Sequence, residues 1–286
     1  MQTTLSRTMR NFSPKFEKFE NRERTDEYMK NNSKPIAIVT GASSGMGREA
    51  VIQLADRFGE KFSEIWVIAR RGERLEQLQS QVPVPLHILP LDLQNTDDRT
   101  LFERELEAHR PQVRMLINSA GFGKIGKIGE LDLESETGMI QLNVEALCAV
   151  THMVLPYMPF NSRIIQFASS ASFLPQPGFA IYSATKSFVL SYSRALREEL
   201  RERGISVTAV CPGPVKTEFF DIAETTGKIP LYKRLTMADP RKVVRLALRD
   251  SMMGKAISIY GPWMKAFFVL CKVLPHSWIL ALMRHL

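Results

Sequence analysis

Tyr182 and Lys186 are two residues whose types and spacing could do chemistry. They stand four positions apart in a segment with a helical pattern, so their side chains leave one face of a helix, one turn apart. A phenol is normally protonated near neutral pH, with a pKa of about 10. A neighbouring ammonium stabilises the phenolate and lowers that pKa. The spacing therefore predicts a pair that can give or take a proton at neutral pH.

A cluster of small polar residues precedes this pair and follows an apolar run. The cluster is Ala168–Ser172, and it contains Ser169 and Ser170. A hydroxyl at the exit of a strand could hold a substrate oxygen and stabilise charge that develops on it. The spacing Tyr-x-x-x-Lys alone is common by chance. Its position after a strand and a cluster of small polar residues makes the pattern specific.

A glycine-rich loop, Thr40–Gly47, directly follows the first apolar run and opens the first helical pattern. Glycine at Gly41 permits a tight turn, at Gly45 it lets the backbone approach a pyrophosphate, and at Gly47 it lets helix and strand pack closely. The helix N-terminus then offers free N–H groups to phosphates. We predict that the loop binds a dinucleotide through its three glycines and through Ser43, Ser44 and Met46.

The end of the second apolar run indicates which dinucleotide is bound. Ala69 is followed there by Arg70 and Arg71, where an acidic residue would hold the ribose hydroxyls and repel a 2′-phosphate. Arginine presents a planar fork suited to phosphate. The sequence therefore predicts NADP(H), with Arg70 the better candidate for the phosphate. The alternative is that both arginines point to solvent and either cofactor is accepted.

Seven short apolar runs alternate with helical patterns and would position these groups. Continuous apolar runs indicate strands buried on both faces, and hence a parallel sheet. Helical patterns include Thr100–Ala108, Leu131–Tyr157 and Tyr182–Arg203, the last ending before Gly204. We predict an α/β fold, a Rossmann-like doubly wound sheet of order 3-2-1-4-5-6-7 with helices on both faces. The seven predicted strands are Pro35–Thr40, Glu64–Ala69, Leu86–Leu91, Val113–Ile117, Arg163–Ala168, Ile205–Val210 and Ala256–Tyr260.

The chain divides into three parts by composition. Residues 1–34 are polar and mixed in charge, and are expected to form a flexible or peripheral extension. Residues 35–262 form a single catalytic domain, in which the irregular stretch 218–238 is expected to be a mobile substrate lid or, alternatively, an ordinary surface connection. Residues 263–286 form an apolar and basic tail.

Composition excludes several classes of protein. The 286 residues are 44% hydrophobic and 24% charged, ordinary values for a globular chain, and the net charge is +8. The basic residues are scattered among acids, so no nucleic-acid partner is predicted. The three cysteines and five histidines form no ligand cluster, so no metal is predicted. We find no signal-peptide core and no apolar run long enough to span a bilayer, and expect a cytoplasmic protein.

The spacing T-G-x-x-x-G-x-G resembles that of the short-chain dehydrogenase/reductase family, and the resemblance extends from residue 35 to about 262. It implies a catalytic serine thirteen residues before the tyrosine, which is Ser169, with Ser170 the alternative at twelve. It implies that Asn143 holds a water in a proton relay to Lys186. It also implies that Lys186 supports Tyr182 and the nicotinamide ribose, so that both residues take part in cofactor binding as well as in catalysis.

Further cofactor contacts follow from the same resemblance. Asp92, with Leu93, matches the position that bonds the adenine amino group, although Asp92 could instead cap a turn. Residues 118–121 resemble an N-N-A-G motif with serine at its second position. There Ala120 and Gly121 leave room for the adenosine ribose, and Asn118 ties neighbouring strands together.

The resemblance also assigns the loop after the sixth strand. Pro212 and Gly213 match a P-G motif, with Thr217 four residues beyond the glycine. The backbone of Val215 is expected to contact the nicotinamide carboxamide, and Thr217 the amide or the diphosphate. The nicotinamide ring is thereby held with one face toward the substrate.

These residues together imply hydride transfer between NADP(H) and a carbonyl/alcohol pair. Tyr182 would give the proton to the carbonyl oxygen, Ser169 would orient that oxygen, and Lys186 would support the tyrosine. Apolar residues near the site suggest a hydrophobic ketone of steroid, fatty or aromatic type: Phe173, Leu174, Phe179, Phe219 and Phe220. Phe173 and Leu174 could equally belong to the core. Two rivals remain. A hydrolase needs a G-x-S-x-G elbow serine matched with a histidine and an acid, and no such elbow is expected here. The other rival is a non-enzymatic NADP(H) sensor on the same fold.

The tail and the long helices suggest partners. The tail could pack on the domain, close the substrate pocket, form a subunit interface or lie on a membrane surface, because basic residues stand among Trp263, Phe267, Phe268 and Trp278. The family commonly dimerises through its two long central helices, here those carrying Asn143 and Tyr182. We therefore expect a homodimer or homotetramer acting on a small molecule.

Overall fold

The computed structural model describes residues 34–219, 223 and 237–283, and its centre is a parallel sheet. Seven strands lie in the order β3-β2-β1-β4-β5-β6-β7, and every pairing is parallel. The predicted fold class and strand order are confirmed. The strands are β1 (Ile36–Thr40), β2 (Ile65–Ile68), β3 (Leu86–Leu89), β4 (Val113–Asn118), β5 (Arg163–Phe167), β6 (Ser206–Val210) and β7 (Ile257–Ser258).

Nine α-helices surround the sheet within the residues that the structure describes. They are α1 (Gly45–Phe58), α2 (Gly72–Gln79), α3 (Thr96–His109), α4 (Leu133–Ile140), α5 (Leu147–Val154), α6 (Ala180–Glu199), α7 (Pro240–Met252), α8 (Pro262–Val273) and α9 (His276–Met283). Helices α4 and α5 are joined without a break by a π-helical turn, Gln141–Ala146.

The strands are buried on both faces because their residues are apolar throughout. Along β1, Ala37 and Val39 face one hydrophobic core, while Ile36 and Ile38 face another on the opposite side of the sheet. Successive side chains of a strand alternate between its faces, so one continuous apolar run supplies both layers. Burying each such valine or isoleucine contributes about 1.5–3 kcal/mol.

Helix α6 is shorter than its predicted range at one end and longer at the other. Prediction placed it at Tyr182–Arg203, whereas it spans Ala180–Glu199. Residues 201–204 form a turn that closes on Gly204, whose φ is +62°, a backbone angle that favours glycine. The turn therefore ends the helix before Gly204.

The continuous helical stretch Leu133–Tyr157 is long and apolar enough to cross a membrane by length and composition alone. Of its most apolar part, 44% is buried inside the protein. Val150 and Val154 lie in the core between the sheet and the helices, as expected for the central helix of a globular domain. The predicted extension lies outside the described residues, apart from Lys34, and so does most of the predicted lid.

Five strands deliver functional positions to one edge of the sheet. Thr40 ends β1 and Asn118 ends β4, while Arg70, Ser169 and Pro212 follow β2, β5 and β6 closely. The carboxyl ends of parallel strands meet at a common edge, which is where open α/β sheets bind ligands.

Candidate active site

Tyr182 and Lys186 lie on the inner face of α6, and both are buried. The Lys186 ammonium lies 5.7 Å from the centre of the Tyr182 ring. It donates a hydrogen bond of 2.8 Å to the Phe167 carbonyl, at the end of β5. The four-residue spacing therefore places both groups on one face, as predicted, and the strand backbone holds the cation in position.

Ser169 follows β5 and starts the short 3₁₀ helix Ser170–Ser172. Its hydroxyl accepts a hydrogen bond from the Ala171 amide at 3.1 Å and is hydrogen-bonded with Tyr182. The Ser170 amide instead donates to the Pro212 carbonyl at 2.8 Å, which ties this turn to the loop after β6. Of the two candidate serines, Ser169 is therefore the one bonded to the tyrosine.

Burial dominates the protonation of this pair. It raises the pKa of Tyr182 to about 12, and the Ser169 hydrogen bond offsets part of the increase. Burial also lowers the pKa of Lys186 to about 8. The prediction that Lys186 acidifies the phenol is therefore wrong: burial, which raises the Tyr182 pKa, is the largest effect, and the effect that lowers this pKa comes from Ser169.

Two aromatic rings cover the tyrosine. Phe179 stacks on Tyr182 with ring centres 4.3 Å apart, and Phe219 lies 5.4 Å away at a tilt. A Cβ at Gly123 would come within 2.6 Å of Tyr182 and 2.9 Å of both phenylalanine rings. The three rings therefore close around one backbone position, a packing role for Gly123 that the sequence pattern did not reveal.

Asn143 lies in the π-helical turn and is fully buried. Its side-chain amide donates to the Phe122 carbonyl at 2.9 Å and to the Thr185 hydroxyl at 3.1 Å, and its oxygen accepts from the Phe122 amide at 3.0 Å. A Cβ at Gly121 would meet both that oxygen and the Lys186 ammonium. Asn143 thus fixes the loop after β4 directly beside Lys186, and isolated π turns of this kind often mark functional sites.

The glycine loop has the shape needed to receive a diphosphate. Gly41 has a φ of +68°, and a Cβ there would clash with the Ala120 backbone at 2.8 Å. Helix α1 begins after Ser44, which does not cap it with its side chain, and no acid lies in its first turn. The helix N-terminus therefore presents amide groups and a positive dipole end, which suits an anion.

Thr40 was not predicted as a site residue, yet it organises this region. Its hydroxyl accepts hydrogen bonds from the amides of Ser119 and Ala120, each at 3.2 Å. The contact joins the end of β1 to the loop after β4, and so aligns the glycine loop with residues 118–121. A threonine immediately before the first glycine was the available sequence signal.

The two predicted arginines occupy different surroundings. Arg70 is exposed and lies 3.8 Å from the Asp92 carboxylate. Arg71 donates to the Ser43 hydroxyl of the glycine loop at 3.2 Å and to Glu218 at 3.3 Å. The structure therefore brings Arg71, rather than Arg70, into contact with the glycine loop.

A basic cavity of about 570 Å³ lies beside that loop. Arg74 lines it and donates to both carboxylate oxygens of Glu218 at 2.8 Å, and these bonds lower the Glu218 pKa. The sequence pattern revealed neither Arg74 nor Glu218. The other charged residues of the lining are Arg48, Glu49, Lys216 and Arg241. Cations outnumber carboxylates here, so the cavity favours an anionic ligand.

Asp92, Leu93 and Asn118 all contribute to local structure. The Asp92 carboxylate accepts from the Gln94 amide at 3.0 Å, as a turn cap does. The Leu93 side chain is buried in the core. Asn118 donates to the Thr151 hydroxyl at 3.0 Å, which links β4 to helix α5. Their contacts with a cofactor stay predictions.

The loop after β6 is held at both ends. Val215 forms a parallel bridge with Ala238, and a Cβ at Gly213 would come within 2.6 Å of the Met264 sulfur on α8. A Cβ at Gly45 would lie 3.5 Å from the Thr217 side chain, so Thr217 adjoins the glycine loop. This loop thus leads from the Ser169 turn to the glycine loop, and it contains the predicted residues Pro212, Gly213, Val215 and Thr217.

Two of the predicted pocket residues lie elsewhere. Phe173 and Leu174 belong to a separate core, in which Phe173 packs 4.8 Å from Phe268 of α8. They follow the Ser169 turn but pack in a core that includes residues of the C-terminal helices. Phe220, also predicted, lies outside the described residues.

No group of three potential metal-binding side chains occurs among the described residues. The expectation that no hydrolase elbow occurs is wrong as regards spacing, because Gly41, Ser43 and Gly45 of the glycine loop form a G-x-S-x-G. However, the Ser43 hydroxyl accepts from Arg71, and the described residues that line the cavity beside it include no histidine. These described neighbours do not supply the base that a nucleophilic serine needs.

The chain is similar in sequence to known proteins. The short chain dehydrogenase family model matches residues 35–226, so the chain belongs to that family. Sulfoacetaldehyde reductase 2 of Chromohalobacter salexigens is 34% identical over 234 residues, 78% of this chain and 91% of the relative. The very-long-chain 3-oxoacyl-CoA reductase of Mus musculus is 30% identical over 245 residues, 80% and 76% respectively.

A solved structure extends the likeness to three dimensions. A short-chain dehydrogenase from Sphingobium yanoikuyae in complex with NADPH is 27% identical, with a TM-score of 0.71 covering 88% of this chain and 96% of that one. The protein is accordingly an oxidoreductase of the short-chain type that acts on CH–OH groups with NAD(P)(H).

Proposed function

We propose that this protein transfers a hydride between NADP(H) and a ketone or secondary alcohol that carries an apolar group. One observation carries the proposal: Tyr182 is bonded to Ser169, lies beside Lys186 and is enclosed by aromatic rings. A proton donor, an oxyanion partner and a buried cation thereby meet at the ligand-binding edge of the sheet.

The residues present fit a dinucleotide. Gly41 and Gly45 have positive φ angles and leave a cradle that a Cβ would fill or strain, above the uncapped N-terminus of α1. The diphosphate would lie there, with Thr217 adjoining it and Val215 near the nicotinamide. The bound cofactor supplies or accepts the hydride.

With a pKa of about 12, Tyr182 keeps its proton at neutral pH and can give it to a carbonyl oxygen. The Ser169 hydroxyl can bond the same oxygen and share its developing negative charge. Lys186, held by the Phe167 carbonyl, stabilises the phenolate left behind. Asn143 hydrogen-bonds to the Phe122 backbone and so holds the loop after β4 beside the Lys186 ammonium without displacing it.

The charges support NADP(H) over NAD(H). No acid follows Ala69, and Arg71 already bonds the glycine loop at Ser43. Arg71 and Arg74 meet the Glu218 carboxylate, an anion in the place where a 2′-phosphate would interact with them. A phosphate carries more charge than a carboxylate and suits the arginine fork.

The rings around Tyr182 support an apolar substrate. Phe179 and Phe219 would exclude water from the reacting carbonyl and bind the group attached to it. The relatives named above act, by their names, on a small aldehyde and on a very long acyl chain. Aromatic packing at Tyr182 is therefore the feature that favours the apolar class.

For the subunit contact we propose the outer face of α6. Phe188 is exposed there and stacks on Tyr192 with ring centres 5.8 Å apart, and Ile140 of α4 is exposed as well. An exposed apolar set on two long helices suits a self-complementary interface. Phe188→Glu is expected to convert a dimer or tetramer to monomer in light scattering, and an unchanged mass would refute this contact.

The test of function is oxidation of NADPH and of NADH with a panel of ketones, quinones and aldehydes graded by apolar size. We expect turnover with NADPH that increases in kcat/KM with the apolar group. Tight NADPH binding without turnover across the whole panel would overturn the enzymatic proposal and favour a sensor.

A further inference from the structure

The two C-terminal helices present a face of large apolar side chains to the outside. Trp263 is 80% exposed, Val273 is 72% exposed and Trp278 is 68% exposed. We call this set the C-terminal apolar face. Its members are Trp263, Val269, Leu270, Val273, Leu274 and Trp278.

The other side of these helices is packed into the domain. Cys271 and Ile279 are buried, and the Phe268 ring packs on Phe173. Met264 lies against Gly213 in the loop after β6. The domain therefore fixes which side of α8 points outward, and α8 is apolar on both sides. Such a helix is expected to be covered on both sides.

The charge around the face has one sign. Residues 251–286 contain no aspartate and no glutamate. Lys265 and Lys272 are both exposed on α8, and the Lys272 ammonium lies 4.5 Å from the centre of the Phe268 ring, beside the apolar side chains. Tryptophans and lysines on an apolar helix without acids match the composition of helices that lie in the interface of an anionic membrane.

A second copy of the chain fits this face less well. In a two-fold interface the same patch meets itself. Lys265 and Lys272 would then be brought toward their own equivalents, with no carboxylate in residues 251–286 to pair with them. Lipid phosphates and carboxylates would supply the missing negative charge.

We propose that helices α8 and α9 bind the surface of an anionic lipid bilayer. The C-terminal apolar face enters the headgroup region, and Lys265 and Lys272 contact the anionic headgroups. Because Met264 connects α8 to Gly213, docking places the loop after β6 close to the membrane. The proposal concerns a surface that is separate from the cofactor cavity and holds whichever cofactor is used.

The test uses the full chain and vesicles of phosphatidylcholine, with or without phosphatidylserine. Co-sedimentation is measured first. Tryptophan emission is recorded next, since Trp66 is fully buried whereas Trp263 and Trp278 are exposed, and these are the three tryptophans of the chain. We expect roughly tenfold or stronger binding to the anionic vesicles. We also expect a blue shift in emission that salt reverses.

Two double variants remove the two contributions separately. Trp263→Ser/Trp278→Ser should lose binding at all salt concentrations, while Lys265→Glu/Lys272→Glu should lose the preference for anionic vesicles. All the changed side chains are exposed, so circular dichroism and the melting temperature should stay unchanged.

Matched controls change exposed residues elsewhere. Ile128→Ser/Leu133→Ser and Lys61→Glu/Lys242→Glu should bind vesicles as the wild type does. Absence of vesicle binding, or equal loss in the controls, would overturn the proposal. A blue shift that depends on protein concentration without vesicles would also overturn it, because a second copy would then cover the face.

Discussion

The ammonium of Lys186 lies 5.7 Å from the ring centre of Tyr182 and donates its hydrogen bond to the Phe167 carbonyl. The cation thus approaches the phenol without bonding to it. Its position is set by the end of β5, which also leads directly to Ser169. The end of β5 therefore positions both Lys186 and Ser169 beside the tyrosine.

Replacing Tyr182 by phenylalanine is expected to lower kcat by a factor of about 100–10,000, because the proton donor is lost. Affinity for NADPH should change little, since the ring and its stacking on Phe179 remain. Turnover and a fluorescence titration with NADPH check the two effects. Tyr192→Phe, a change on the same helix, is the control and should retain activity. Near-normal turnover of the Tyr182 variant would contradict the assigned role.

The pH profile of ketone reduction should report Lys186. Its pKa of about 8 lies well below that of Tyr182, about 12, so the lysine loses its proton first as the pH rises. The neutral amine no longer stabilises a phenolate, and kcat/KM should fall above pH about 8.

Lys186→Arg should move this decline upward by more than about one pH unit, because a guanidinium stays protonated. The shape of the profile is compared, so a lower overall rate does not obscure the result. An alkaline limb that stays at the same pH in the arginine variant would show that another group titrates.

Arg70→Ala and Arg71→Ala test the choice of cofactor. Each is expected to weaken NADPH far more than NADH, by about tenfold to a hundredfold where the arginine bonds the phosphate. The contact of Arg71 with Ser43 predicts the larger loss for Arg71, whereas the sequence favoured Arg70. Dissociation constants for both cofactors decide. Equal losses for NADPH and NADH would refute the phosphate role.

Glu218→Gln is expected to tighten NADPH binding by about twofold to fivefold, because exposed ion pairs contribute at most about 1 kcal/mol each. The change frees Arg71 and Arg74 from a carboxylate while keeping the size of the side chain. Affinity for 2′,5′-ADP should rise in parallel, and affinity for NADH should not. Weaker NADPH binding would mean that Glu218 helps to hold the cofactor instead.

Gly123→Ala should destabilise the fold by about 1–3 kcal/mol, because the added methyl group overpacks three rings. It should also lower turnover, since the Tyr182 ring must move. Denaturant unfolding and turnover measured on one preparation check both effects. An unchanged free energy of unfolding would show that the three rings can move apart without destabilising the fold.

Much of the fold could be predicted from the sequence because it is encoded locally. Each strand is a continuous apolar run, and the loop Thr40–Gly47 shows where the first helix begins. The spacing of Tyr182 and Lys186 is likewise local, since one helical turn places them together. These features need no knowledge of distant parts of the chain.

The remaining features depend on contacts between distant segments. Glu218 meets Arg74 across 144 positions, and Phe173 packs on helix α8 nearly a hundred residues later. The pKa of Tyr182 depends on how completely the folded chain buries it. Residue types alone specify neither the partner nor the degree of burial.

The crowding at Gly123 limits how this enzyme can be redesigned. A Cβ at this position would crowd the proton donor and both aromatic rings, so enlarging the residue would disturb acidity and selectivity together. A library aimed at bulkier ketones should therefore randomise Phe179 and Phe219 and leave position 123 untouched. A wider substrate range would come from smaller side chains at positions 179 and 219, and not from a larger side chain at position 123.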